Sequence, residues 1–229
     1  MTSVLDNVVW HSLTGRQRHL GTIEGRAGRF DPAVSPFGGV DDLDSEESWS
    51  DLATLVGPGG IAVLFGPVIP IPERWTLQHR MPCYQFVATA DTPDAPADGL
   101  IELGPADVPE ILELIKATRP GPFDDRTVEF GTYVGVRKEG RLVAMTGERM
   151  KVPGFTEISA LCTADDVRGT GLGRTLVSAV VHLIRSRGEE AFLHVLTDNT
   201  PAVRLYESMG FTVRCEAEAV IVRAPGEKG

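Results

Sequence analysis

Three glycines at alternate positions carry the clearest chemical signal in this chain. They are Gly169, Gly171 and Gly173, within the segment Asp166–Thr175. A strand-like segment precedes them and a helix-like segment follows. The turn would therefore leave free backbone N–H groups at the positive end of a helix dipole. Such groups bind an anion, typically a phosphate, without needing a lysine.

The segments on either side of the turn predict this strand and this helix. In Gly154–Thr163 the residues alternate with a period of two, which places Glu157, Ser159 and Leu161 on one face of a strand. From Leu172 to Ile184 the apolar residues recur at spacings of three and four, which is typical of a helix with one buried side. The predicted order is strand, glycine turn, helix.

Spacing argues against two of the phosphate-binding turns that this order allows. A nucleoside-triphosphate loop requires a glycine five residues before Gly173 and a lysine directly after it, but Arg168 and Arg174 occupy those positions. A dinucleotide fingerprint requires its third glycine at position 174, which is again Arg174. The register of the glycines fits neither pattern.

Arg168–Gly173 reads Arg-Gly-Thr-Gly-Leu-Gly and resembles the pyrophosphate loop, Arg-x-x-Gly-x-Gly/Ala, of the GNAT superfamily of acetyl-CoA-dependent N-acetyltransferases. Upstream, Phe155–Thr163 resembles the splayed central strand of that family. Downstream, Asn199–Phe211 resembles its Asn-x-x-Ala-x-x-x-Tyr-x-x-x-Gly-Phe signature. Glu157–Thr163 and His194–Asn199 are most similar to the subgroup that includes glycine-N-acyltransferase-like proteins.

The resemblance implies acetyl-CoA as co-substrate and no metal. Backbone N–H groups of the glycine turn would bind the pyrophosphate, and the end of the preceding strand would lie along the pantetheine arm and thioester. Asn199 would bond the pantetheine amide, although its place before Thr200 and Pro201 also fits a helix cap that needs no ligand. The predicted coenzyme-binding residues are Leu161, Cys162, Thr163, Arg168, Gly169, Thr170, Gly171, Leu172, Gly173, Arg174, Asn199 and Tyr206.

Acetyl transfer to an amine needs a base for the amine proton and an acid for the leaving thiolate. In the family that the chain resembles, a glutamate at the position of Glu157 commonly acts as the base. The strand pattern places Glu157 about 13 Å from Leu161, so water would relay the proton. Glu148 is the rival base. Tyr206 is the candidate acid, because a phenol can protonate a thiolate, and core packing is its alternative role.

A connection rich in proline and acidic residues, 90–99, divides the chain. Residues 1–97 are predicted to form a smaller N-terminal α/β domain, either independent or a degenerate second copy of the GNAT fold, with strands at 61–65 and 76–87. Residues 98–229 are predicted to form a GNAT domain of the order β-α-(short helix)-β-β-β-α-β-α-β. The expected fold is α/β, with a mixed, largely antiparallel sheet whose central strands splay apart and are flanked by helices.

The charge and composition of the chain restrict which partners it is expected to bind and where it is expected to occur. The formal charge of −10 and pI of about 5.0 disfavour nucleic acid and anionic membranes and favour a cationic substrate such as an amine. The three cysteines lack the spacing of a disulfide framework or a zinc site. A chain start without a basic-then-apolar segment, and no apolar stretch of 18 residues, indicate a cytoplasmic protein that is not held in a membrane. The sequence is compatible with a homodimer and does not decide the oligomeric state.

The sequence thus predicts an N-acetyltransferase that moves an acetyl or other short acyl group from coenzyme A directly to a primary amine. The acceptor is a small molecule or a peptide whose identity the sequence does not reveal. The alternative is a coenzyme A-binding regulatory or interaction module without turnover. Both readings keep the glycine turn, and the presence of Glu157 together with Tyr206 favours catalysis.

Overall fold

The computed structural model describes residues 3–96 and 99–226. The strands are β1 (Gly21–Glu24), β2 (Ala27–Phe30), β3 (Gly38–Val40), β4 (Ile61–Gly66), β5 (Thr76–Val87), β6 (Ile101–Leu103), β7 (Tyr133–Lys138), β8 (Arg141–Val152), β9 (Phe155–Thr163), β10 (Glu190–Leu196) and β11 (Thr212–Arg223). The α-helices are α1 (Val8–Leu13), α2 (Glu46–Val56), α3 (Val108–Thr118), α4 (Leu172–Arg185) and α5 (Thr200–Ser208). Short 3-10 turns occur at Val4–Asp6, Arg18–Leu20, Pro105–Asp107, Thr127–Phe130 and Asp165–Val167.

The larger sheet has eight strands in the order β4-β11-β5-β10-β9-β8-β7-β6. Neighbouring strands are antiparallel except β9 and β10, which are parallel. Their pairing runs only from Glu190↔Phe155 to Phe192↔Glu157. The two strands therefore part beyond Glu157 and Phe192, which confirms the predicted mixed sheet with splayed central strands.

Two strands of the N-terminal part belong to this same sheet. β5 lies between β10 and β11, and β4 forms the edge beside β11. The remaining strands of the N-terminal part, β1-β2-β3, form a small antiparallel sheet of their own, near α1 and α2. The predicted boundary at residues 97 and 98 lies outside the described residues and stays a prediction, while the hydrogen bonds of the larger sheet join strands from both sides of it.

Helix α4 packs against one face of the larger sheet, as its predicted apolar stripe requires. Leu176, Val177 and Val180 are fully buried in a cluster that includes Ala144 of β8. The neighbouring residue Met145 belongs instead to the cluster around α3. Since adjacent residues of a strand point to opposite faces, α3 and α4 cover opposite sides of the sheet. No helix in residues 3–96 and 99–226 is long and apolar enough to cross a membrane.

A β-bulge interrupts β9. Between the pairs formed by Ser159 and Cys162 with β8, Ala160 and Leu161 together lie opposite the single residue Thr146. Ala160 has φ of 55°, in the left-handed region that residues other than glycine rarely adopt. An extra residue of this kind bends and twists a strand, and here it lies where β9 departs from β10.

The bulge corrects one expectation about the faces of β9. Leu161 packs against the α4 cluster together with Ile158, so these two residues share a face. Glu157 is next to Ile158 and points to the other face. The prediction that Glu157 and Leu161 lie on one face is therefore wrong, because the extra residue at Ala160 inverts the alternation beyond it.

Candidate active site

The glycine turn leads into α4 as the sequence predicts. Gly169 and Gly171 have φ of 77° and 90°, and Gly171 is the N-cap residue of α4 without any side-chain cap. A Cβ placed on either glycine would meet no atom within 4 Å. The backbone conformation, not crowding, is thus what requires glycine at these two positions.

Six consecutive backbone N–H groups, those of residues 169–174, have no acceptor among the described residues. The N–H groups on either side are used within the protein. Arg168 donates to the carbonyl of Asp165 at 3.3 Å, and Thr175 donates to that of Gly171 at 3.2 Å. A row of free donors at the positive end of a helix is an anion-binding concavity, so the geometry of the turn suits a phosphate-bearing ligand.

The two arginines beside the turn are exposed and bond within the protein. Arg168 forms an ion pair with Asp165 at 2.9 Å. Arg174 donates from Nη2 to Oγ of Ser208 at 2.7 Å, which ties the first turn of α4 to the end of α5. The backbone donors of the turn are therefore the groups that remain available to an anion.

The end of β9 runs alongside the gap that opens between β9 and β10. Its edge toward β10 has no strand partner beyond Glu157. Leu161 and Thr163 are half-buried in this stretch, and Cys162 is buried. Burial raises the pKa of the Cys162 thiol to about 11, so it stays protonated near neutral pH and is a structural thiol, not a nucleophile.

Tyr206 packs in the core and still has an unused hydroxyl. Its ring lies 5.7 Å from that of Phe211, edge to face, and 6.1 Å from that of Phe86. The residue is 7% exposed, and its hydroxyl bonds to no described residue. Burial raises the pKa of Tyr206, which keeps the phenol protonated. Both roles considered from the sequence, core packing and proton donation, are compatible with this placement.

Asn199 caps α5. Its Oδ1 accepts a hydrogen bond from the N–H of Ala202 at 3.3 Å, and Pro201 occupies the first turn. The side-chain amide nitrogen of Asn199 has no partner among the described residues. The capping geometry expected from the sequence is thus present, and it leaves the amide donors unused.

Glu157, the first candidate for the general base, lies in a buried ion pair. Its carboxylate accepts two hydrogen bonds from Arg149, at 2.7 Å from Nε and 2.6 Å from Nη2. Oε1 also lies 2.7 Å from Nδ1 of His194. Burial alone would raise the pKa of Glu157, but the charge and hydrogen bonds of Arg149, joined by His194, lower it to about 2. The carboxylate is ionised at neutral pH and is a weak base.

The network extends from His194 into the N-terminal part. Nε2 of His194 is 3.0 Å from Nε2 of Gln85, which also donates to the carbonyl of Leu5 at 2.8 Å. Oε1 of Gln85 accepts from Arg214, which fixes the orientation of the Gln85 amide, and Arg214 pairs with Asp6. Nε2 of His194 is therefore an acceptor, and its Nδ1–H donates to the carboxylate of Glu157.

Two aromatic rings from the N-terminal part cover the Arg149 guanidinium. Its central carbon lies 5.0 Å from the ring centroid of Phe37 and 5.4 Å from that of Phe65. Cation–π contacts of this kind are strongest where water is excluded. Sequence reasoning assigned no role to Arg149, because nothing in the local pattern of β8 marks the one arginine that pairs with Glu157.

Glu148, the rival base, is also buried and paired. Lys151 lies 2.7 Å away, Arg187 forms a second ion pair, and the N–H of Thr132 donates to Glu148 at 3.2 Å. Burial alone would raise the pKa of Glu148, but these cations lower it. Both candidate bases are therefore held as carboxylates by cations of the protein itself.

The described residues thus combine a mixed sheet, whose parallel strands β9 and β10 splay apart, with an anion-binding turn between β9 and α4. The family described as FR47-like protein matches residues 133–220. A solved structure of a GNAT-family acetyltransferase from Novosphingobium aromaticivorans DSM 12444 is 35% identical, covers 100% of both chains and has a TM-score of 0.88. This chain belongs to the GNAT family of acetyltransferases.

Curated relatives match part of the chain. A mycothiol acetyltransferase of Thermomonospora curvata is 35% identical over 112 residues, which are 47% of this chain and 36% of that protein. The N-alpha-acetyltransferase RimI of Mycobacterium tuberculosis is 37% identical over 82 residues, which are 34% of this chain and 51% of that protein. The chain therefore spans about a third to a half of the length of these two relatives.

Proposed function

We propose that this chain is an N-acetyltransferase that moves an acetyl or other short acyl group from coenzyme A directly to a primary amine. The observation that carries the proposal is the row of six free N–H groups in residues 169–174, next to the gap between β9 and β10. GNAT acetyltransferases use acetyl-CoA. The turn offers donors to its pyrophosphate, and the unpaired edge of β9 lies where its acyl arm would run.

The predicted coenzyme-binding residues other than Arg168 each have a proposed part. Both the backbone N–H and the side chain of Arg168 bond to Asp165, so Arg168 offers no free backbone donor. The N–H groups from Gly169 to Arg174 bind the pyrophosphate. The backbone of Leu161–Thr163 offers N–H and C=O groups to the amide-bearing arm, and Asn199 offers the donors that its capping role leaves free. Acetyl-CoA itself supplies the activated acyl group.

Tyr206 is the proposed proton donor. A buried phenol with a raised pKa is protonated at neutral pH, and its hydroxyl is not committed to another residue of the described chain. A thiolate leaving group needs one proton to depart as a thiol. Tyr206 thus combines the right protonation state with an unused donor.

Glu157 remains the proposed base and Glu148 its rival, with a restriction that follows from the ion pairs. A carboxylate of pKa about 2 is a poor proton acceptor, because each unit of pKa costs about 1.4 kcal/mol in proton transfer. We therefore propose that Glu157 accepts a proton only from a nitrogen that already bears positive charge, as the amine does once it has bonded to the acyl carbon.

The same ion pairs support a second candidate, a coenzyme A-binding module without turnover. Glu157 and Glu148 are each paired with cations, so their burial is explained without catalysis. For the acceptor, the net charge of −10 favours a cationic amine, on a small molecule or a peptide. Membership of the subgroup that includes glycine-N-acyltransferase-like proteins is a proposal that rests on the segments Glu157–Thr163 and His194–Asn199.

Thermal unfolding with acetyl-CoA, ATP or NAD tests the coenzyme. Acetyl-CoA at about 100 times its Kd should stabilise the fold by about 2.7 kcal/mol, while ATP and NAD should have no effect. An unchanged Tm with millimolar acetyl-CoA would contradict the proposal. A panel of amines, followed by release of free thiol, then separates the two candidates, since binding without release from any amine supports the module.

A further inference from the structure

A cleft in the N-terminal part contains an arginine, Arg29, that forms no ion pair within 4.0 Å with any residue of the described chain. It has a volume of about 440 Å³ and lies between β1, β2, the turn after β2 and the end of α2. Charged or titratable side chains in its wall are Arg29, Asp31, Arg126 and His19. This volume is within the range of small-molecule sites in proteins.

Arg29 lies in the central strand of the small sheet, and its Nε is buried without a hydrogen-bond partner. Among the described residues, none of the ion pairs within 4.0 Å includes Arg29. Arg26 on the same hairpin shows the contrast, because it pairs with Asp41 at 3.0 Å and with Glu47 at 3.5 Å. A buried donor without a partner is unusual in a folded protein and requires an explanation.

The nearby carboxylates of Asp31 and Glu129 are both bonded to Arg126, and neither lies within 4.0 Å of a side-chain nitrogen of Arg29. Arg126 pairs with Asp31 at 2.5 Å and with Glu129 at 2.6 Å, and the second oxygen of Asp31 accepts the N–H of Ala33 at 2.9 Å. The chain has 32 acidic against 22 basic residues, so a shortage of carboxylates does not explain why Arg29 has none. No described residue supplies a partner for the buried Nε of Arg29, so the position fits a ligand that carries a negative charge.

We propose that this cleft binds a small organic carboxylate, with Arg29 as its main partner. A planar guanidinium matches a carboxylate through two parallel hydrogen bonds. Pro32 and Leu55 provide apolar wall for the body of such a molecule. Asp31 and Glu129 stand nearby and repel a second negative charge, which favours a carboxylate over a phosphate. The site is independent of the proposed acetyl transfer, since it shares no residue with it.

Isothermal titration of the full chain with sodium benzoate tests the site. Benzoate should bind, and benzamide, its neutral counterpart of similar shape, should not. Arg29→Met should weaken benzoate binding by about 10- to 100-fold, the range for losing a charge-assisted hydrogen bond. Arg29→Lys keeps the positive charge but not the planar guanidinium, so its affinity for benzoate should lie between those of the wild type and Arg29→Met. Lys138→Met removes one exposed positive charge from the β7–β8 hairpin and should leave binding unchanged.

The thermal stability of Arg29→Met without ligand provides a second measurement. Because Arg29 forms no ion pair with any described residue, the Tm of Arg29→Met should equal or exceed that of the wild type. A lower Tm would show that Arg29 supports the fold, and would overturn the proposal. Three other results would also overturn the proposal. They are equal binding of benzoate and benzamide, unchanged benzoate binding by Arg29→Met, and tighter binding of inorganic phosphate than of benzoate.

Discussion

The glycine turn and the Glu157 network are both polar, but they satisfy their polar groups in opposite ways. In the turn, the N–H groups of residues 169–174 are exposed or half-buried and have no acceptor among the described residues. In the network, the carboxylate of Glu157 is fully buried and bonds to Arg149 and His194. The N–H groups of the turn are therefore available to a ligand, whereas the carboxylate of Glu157 already has its partners within the protein.

The difference indicates that the turn binds a ligand and that the Glu157 network stabilises the fold. Exposed N–H groups can bond to water while no ligand is present, so leaving them without a protein acceptor costs little stability and keeps them available to a ligand. A buried, fully bonded ion pair instead costs several kcal/mol if either partner is lost. Substitutions in the network should therefore act mainly on stability, and those in the turn mainly on binding.

Glu157→Gln should have the largest effect. It leaves the buried guanidinium of Arg149 without its counter-charge, which should lower the free energy of unfolding by about 3–5 kcal/mol. Urea unfolding measures this loss. Arg149→Met combined with Glu157→Gln serves as the control, because removing both charges should cost clearly less than the sum of the single losses. A fully stable Glu157→Gln variant would show that the pair contributes nothing.

The pH dependence of unfolding checks the same pair. Glu157 has a pKa of about 2 in the folded chain against an ordinary value of 4.5, so its contribution is complete above pH 4.5 and is lost as the pH falls toward 2. The wild type should lose stability more steeply across that window than Glu157→Gln. Equal slopes would mean that the folded pKa of Glu157 is not lowered.

Gly171→Val should weaken acetyl-CoA binding by about 1,000-fold, as expected if two hydrogen bonds of about 2 kcal/mol each are lost. Valine resists the φ of 90° at this position, so the donors of the turn would no longer converge. Gly154→Val is the matched control, since Gly154 also has positive φ, at 78°, and open space around it. That variant should lose similar stability but keep its affinity, and equal loss of affinity in both would remove the special role of the turn.

Tyr206→Phe should lower kcat by about 100-fold, at the low end of the range for a positioned acid. Acetyl-CoA affinity and Tm should hardly change, because the ring still packs and the hydroxyl bonds to no described residue. Tyr133→Phe is the control, since Tyr133 is also buried with an unpartnered hydroxyl but lies in the α3 cluster. Unchanged kcat for Tyr206→Phe would leave Tyr206 with a packing role alone.

Asn199→Ala should have the smallest effect, a loss of about 1 kcal/mol from the N-cap of α5, seen as a fall of about 2–4 °C in Tm. Asn199→Asp keeps the capping oxygen but not the amide donors. It should retain stability while weakening acetyl-CoA binding, which separates the cap from the proposed ligand contact. Unaltered affinity in this second variant would confine Asn199 to capping.

Much of the fold around the turn was predictable because it depends on short-range pattern. The apolar residues at spacings of three and four from Leu172 to Ile184 predict α4. The cap at Asn199 follows from its position before Thr200 and Pro201. In each case the residues that decide the structure lie within one or two turns of the chain.

The surroundings of Glu157 were not predictable in this way. Its partners Arg149 and His194 lie on two other strands, and His194 is 37 residues from Glu157 along the chain. The bulge at Ala160 places Leu161 on the opposite face of β9 from the one predicted, and no glycine or proline in the local sequence indicates it. A pattern of two faces in a strand holds only where no extra residue is inserted.

The amino-acid sequence by itself determined the glycine turn, its helix and the order of strands and helices that identifies the family. Backbone conformation and helix capping are local, so they can be read from neighbouring residues. Only the tertiary structure decided that β5 enters the larger sheet between β10 and β11, that Glu157 is neutralised by Arg149, and that Arg29 forms no ion pair with any described residue. These outcomes depend on which distant groups meet, and many pairings of charges and strands are compatible with the same local pattern.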